Sequence, residues 1–141
     1  MNAPLYNTQI LRLAASVAHL QRLEAPMGTS EKRSPVCGSR VTVDVDLDAE
    51  GRVAALGMEV RACALGQASS ALMASHALGR TQDELAAAVD ALTGWLAGAS
   101  SAAPDWPGLE IFVPALPHRA RHPSIRLAFE AAAEAAAQAR R

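Results

Sequence analysis

The chain carries two thiols, Cys37 and Cys63, and no others. A thiolate is a soft ligand for zinc and iron and a nucleophile toward sulfur. Cys37 lies in Ser34-Pro-Val-Cys-Gly-Ser39, where Pro35 stiffens the approach. Cys63 ends Val60-Arg-Ala-Cys63 and opens a run of small residues, Ala64-Leu-Gly-Gln-Ala-Ser-Ser-Ala-Leu-Met73. At a helix start, orphan amides and the helix dipole favour a thiolate, so Cys63 is expected to ionise readily. The histidines offer less. His19 reads as a polar residue late in a helix, and His76 as structural. Asp44 and Asp46 look like a carboxylate pair, but they alternate with valines and read as a solvated face. No nucleophile–base–orienter set and no phosphate loop appear, so no conventional enzyme is expected.

The elements around the thiols follow from periodicity. Leu5 to Leu23 reads as a helix, with Leu5, Ile10, Leu13, Val17 and Leu20 at helical spacing. Glu24 to Ser34 reads as loop or a short edge strand. Arg40 to Leu47 alternates, with Val41, Val43, Val45 and Leu47 on one side. Asp48-Ala-Glu-Gly51 makes a turn, and Arg52 to Arg61 returns with Ala54, Leu56, Met58 and Val60 inward. Cys37 enters this antiparallel hairpin and Cys63 leaves it, at comparable distances from the turn. The two thiols are therefore expected to be neighbours.

Ala64 to Leu78 reads as a helix, ended by Gly79 and Arg80. Thr81 and Glu84 form a capping box for the next, which carries Leu85, Val89, Leu92 and Leu96 inward. Gly98 to Gly108 reads as a loop with Trp106 as a hydrophobic plug. Leu109 to Leu116 is a short apolar segment, a helical turn broken at Pro114. Pro117 to Ser124 is basic and rigid, and a final helix is expected from about Ser124 to the C-terminus. The expected fold class is α+β: residues 1–141 as one domain, a small antiparallel sheet of about three strands, and helices on one face.

Composition narrows the partners. Half of the 141 residues are hydrophobic but only 4% are aromatic, so the core must be aliphatic. A net charge of −1 gives no electrostatic case for nucleic acid or an anionic membrane. No apolar run reaches the ~18 residues that span a bilayer. No signal segment opens the sequence, and a cytoplasmic protein with reduced thiols is expected.

These residues together resemble the NifU/IscU/SufU-type iron–sulfur cluster assembly scaffolds over most of the chain. Leu5-Tyr6 with Ile10-Leu11 looks like the family's opening helix, and Pro35-Val-Cys-Gly38 like its first cysteine loop. Ala62 to Met73 looks like the segment Gly-Cys-x-x-x-x-Ala-Ser-x-Ser-x-Met. Leu78-Gly-Arg-Thr81 with Glu84 resembles the following linker, and Arg121 to Ala131 the closing helix. The order and spacing of these motifs carry the resemblance. The departures are specific. Ser39 stands where the family has an aspartate. The third cysteine is absent, with Ser124 in its place on an ungapped alignment and Pro123 on the His-Cys-Ser pattern.

The resemblance implies a SufE/NifU-like fold and a scaffold for a [2Fe–2S] cluster or a zinc ion. It implies Cys37 and Cys63 as ligands, His122 as a further one, and Ser39 and Ser124 as degenerate ligand positions. A serine alkoxide is too basic to replace a thiolate at neutral pH. Cysteine desulfurase and other iron–sulfur assembly proteins are the implied partners. Two alternatives stay open: a zinc-dependent sulfur acceptor that activates a desulfurase, and a metal-free paralogue that binds a partner through Arg119, Arg121 and Arg126.

Overall fold

The computed structural model describes residues 6–17, 20–35 and 38–140. Helix α1 spans Thr8–Ser16, and the Asn7 side chain caps it by accepting from the Ile10 amide at 3.0 Å. The helix expected over Leu5–Leu23 is thus shorter within the described residues, and Leu5 and His19 lie outside them. Strand β1 is Gly28–Arg33, so the short edge strand is present. Strands β2 (Arg40–Leu47) and β3 (Val53–Arg61) form the hairpin. The sheet order is β1-β2-β3, antiparallel throughout.

The turn is closed by the Gly51 amide on the Asp48 carbonyl at 3.0 Å, and Gly51 takes φ 77°. A register shift at Asp46/Leu47 pairs Leu47 with Val53. That bulge changes the phase of β3. Val53 is buried and Ala54, expected inward, is exposed.

Val41, Val43 and Val45 are fully buried under helix α4, His122–Ala139. Around Gly28 the face of α4 on the sheet carries Ala135 and Ala139, which lets the helix lie close. A β carbon at Gly28 would overlap the Ala135 carbonyl oxygen. Helix α2, Ala64–Ala77, is packed between α1 and α4 and is buried around most of its circumference. Helix α3, Gln82–Leu96, opens with the expected capping box and buries Leu85, Leu92, Trp95 and Leu96. Trp95 was not among the expected inward residues.

Trp106 is the expected plug. Its indole N–H donates to the Leu72 carbonyl at 3.0 Å, and its ring meets Phe129 edge-on at 5.1 Å. His76 packs edge-on to the same ring, and the Arg80 guanidinium lies 4.6 Å above it. Leu109–Ala115 forms a 3-10 helix that contains Pro114, and Arg119–Arg121 forms another. The 3-10 geometry tolerates Pro114 where the sequence suggested a break.

The reading of Asp44 and Asp46 as a solvated pair is corrected. Asp44 is fully buried: Arg22 holds it through two donors at 2.6 and 3.0 Å, the Leu23 amide at 3.0 Å and the Thr29 hydroxyl at 2.7 Å. Asp46 is half-buried and accepts from the Met27 amide at 2.8 Å. The segment after α1 crosses the outer face of the sheet and covers both. The Met58 amide donates to the Gln21 carbonyl, which fixes that crossing. Gly57 permits it, since a β carbon there would sit 2.6 Å from the Gln21 oxygen and the Leu23 nitrogen.

Candidate metal centre

Cys63 is the N-cap of α2, in extended backbone geometry, and its side chain makes no capping hydrogen bond. It is half-buried and not in a disulfide. Its carbonyl accepts the Gln67 amide at 2.9 Å. The strand-to-helix junction expected from the sequence is therefore present, with Cys63 as the residue that opens the helix.

The loop joining β1 to β2 closes at the same end of the sheet. The Ser34 amide donates to the Ser39 carbonyl at 2.8 Å, and the Gly38 amide to the Ser34 carbonyl at 3.2 Å. Ser39 is buried and Gly38 is exposed with φ 71°. Cys37 itself lies outside the described residues. The register gives the common end: Arg33 pairs with Arg40, and Arg40 with Arg61. Arg40 follows the Cys37 loop directly, and Arg61 precedes Cys63 by two residues.

The start of α4 closes on this corner. Ser124 is buried, and its carbonyl lies 3.3 Å from where a β carbon of Gly66 would stand. The Ser69 hydroxyl donates to the Ile125 carbonyl at 2.6 Å. Residue 124 thus sits over the first turn of the helix that Cys63 begins. Pro123, one residue earlier, lines a cavity on another side with Thr93, Leu96 and Ala97.

His122 is buried in that second direction. Its Nε2 lies 3.0 Å from the Ala115 carbonyl. A carbonyl only accepts, so Nε2 is the donor in this contact. His118 is exposed. Among the described residues, no group of three His, Cys, Asp or Glu could hold a metal ion. Arg119 and Arg121 are exposed, and Arg126 pairs with Glu130 at 3.8 Å. No helix among the described residues is long and apolar enough to cross a membrane.

The arginines of β1, β2 and β3 were not singled out by the sequence. The signal was there in their offsets from the turns, but it appears only once the register of three strands is fixed.

No family model matches the chain, and no curated protein matches it. Solved structures do. The N-terminal part of a nitrogen-fixing NifU-like protein from Brucella abortus is 38% identical, with TM-score 0.89, covering 96% of this chain and 94% of that one. A SufU protein from Fervidobacterium islandicum AW-1, described as an iron–sulfur cluster assembly scaffold protein for the SUF system, is 19% identical with TM-score 0.82, covering 94% and 96%. A hypothetical protein at 19% identity has TM-score 0.68, covering 94% and 99%. The two more distant structures share the fold. The first shares enough sequence over nearly its whole length to carry more: this chain belongs to the NifU-like N-terminal domain family, within the NifU/IscU/SufU type.

Proposed function

We propose that this protein works in iron–sulfur cluster assembly as a scaffold-type carrier, with iron or a nascent [2Fe–2S] cluster as cargo held through Cys37 and Cys63. The observation that carries the reading is the corner itself. A half-buried cysteine caps α2, the serine of the third-ligand position packs over the first turn of that helix, and the Cys37 loop closes at the same sheet end.

The donor set limits how firmly cargo is held. Two thiolates suit iron or zinc, but four protein ligands are usual around a [2Fe–2S] cluster. Hydroxyls at Ser39 and Ser124 do not supply the missing thiolate. His122 offers only Nδ1 while Nε2 faces Ala115. The cargo is therefore bound with open positions and passed on easily. A cysteine desulfurase and other assembly proteins are the partners this reading requires.

The test is anaerobic reconstitution with iron and sulfide. Wild-type protein should retain both through gel filtration, and Cys37→Ala and Cys63→Ala should lose them. Stoichiometric zinc on purified protein, together with faster desulfurase turnover, would favour the zinc-dependent sulfur acceptor instead. Metal-free protein that still binds a desulfurase would favour the partner-binding paralogue.

A further inference from the structure

The outer face of the sheet is divided in two. The segment 21–23 covers the rung Thr29–Asp44–Gly57. Toward the cysteine end two rungs follow: Glu31–Thr42–Glu59, then Arg33–Arg40–Arg61. The outer side chains of the last rung are well exposed, Arg33 at 66% and Arg61 at 67%.

Three like charges on one rung are a poor choice for stability, since directly opposed like charges weaken strand pairing. The glutamate rung offsets this only in part. Arg33 meets Glu31 at 2.9 Å and Arg61 meets Glu59 at 3.4 Å. Arg40 reaches both, at 3.7 and 3.8 Å. Three guanidinium groups against two carboxylates leave one positive charge in excess. The glutamates also restrain the arginine side chains, which lowers the ordering cost of a further contact. A guanidinium has five donors, so one that pairs with a carboxylate can take another. Its fork matches carboxylates in bidentate geometry.

We propose that the Arg33–Arg40–Arg61 rung docks an acidic segment of a partner protein, bringing that partner to the cysteine end. The inference rests on the carrier reading above for why a partner comes there. The rung borders the Cys37 loop on two strands and Cys63 on the third. Nucleic acid fits it less well, because one positive charge in excess neutralises too few phosphates to hold a backbone by counterion release.

The experiment is an amide-correlation NMR titration of the intact protein at low salt with a poly-glutamate peptide. Shifts should centre on the backbone amides of Arg33, Arg40 and Arg61 and their side-chain Nε–H groups. The double variant R33E/R61E should bind the peptide at least about tenfold more weakly. R33Q/R61Q supplies the same reading if the charge reversal does not fold. Cys63→Ala should bind the peptide like wild type, so failure of the cargo reading and failure of this one remain distinct. Shifts centred on Arg119 and Arg121, undiminished binding by a folded double variant, or displacement of the rung signals by oligo-dT with none by poly-glutamate would each overturn the proposal.

Discussion

Ser124 leaves no room for a side chain at Gly66: a β carbon there would stand 3.3 Å from the Ser124 carbonyl and 2.7 Å from the Ala62 β carbon. In an ordinary exposed helix, replacing glycine by alanine gains up to about 1 kcal/mol. Here the added methyl has to push α4 or the Cys63 junction aside. Gly66→Ala is expected to lose about 1–2 kcal/mol net, the usual cost of overpacking. Urea unfolding checks it, and a gain in stability would place α4 further from α2.

Two other glycines make a matched pair. Gly57→Ala would meet backbone atoms of the crossing segment at 2.6 Å, with no flexible side chain to yield. It should cost about 3 kcal/mol or prevent folding. Gly94 lies within α3 and a β carbon there meets nothing within 4 Å. Gly94→Ala should stabilise by about 0.5 kcal/mol. Thermal or urea melts of both variants read the contrast directly.

Asp44 sets a pH dependence. Burial raises its pKa, but hydrogen bonds from Arg22, Thr29 and the Leu23 amide and the Arg22 charge outweigh burial and leave it below the usual carboxylate value. Its contribution is complete above the unfolded value of about 3.9 and is lost as pH falls through the lower folded value. Unfolding free energy should therefore drop on acidification below about pH 4, and that slope should be shallower in Asp44→Asn. Arg22→Ala removes two of the four donors to Asp44 and, with Arg22 itself half exposed, should cost about 1–2 kcal/mol at neutral pH. A flat acid limb in wild type would contradict the clamp.

The hairpin, the capping box and the Cys63 junction were legible because each rests on neighbours in sequence. Val41, Val43 and Val45 announce a face by alternation, and Thr81 with Glu84 announces a helix start. Asp44 was misread for the opposite reason. Its partner Arg22 lies far back in the chain and reaches it only after the segment beyond α1 crosses the sheet. Ala54 was misplaced because a bulge shifts the phase of β3 without a glycine or proline to mark it. His122 entered only through the resemblance, as a further ligand, and its engagement with Ala115 depends on a 3-10 helix whose apolar residues gave no clear period.

Ser124 separates this account from one in which the protein merely resembles its relatives. Iron retained per chain after anaerobic reconstitution and gel filtration, measured side by side for wild type and Ser124→Cys, tests it most directly. With a third thiol supplied over the first turn of α2, the variant should keep iron and sulfide markedly longer than wild type, and Cys63→Ala in the same background should abolish the gain. Equal retention by wild type and Ser124→Cys, or a gain that survives loss of Cys63, would contradict a shared centre at this corner.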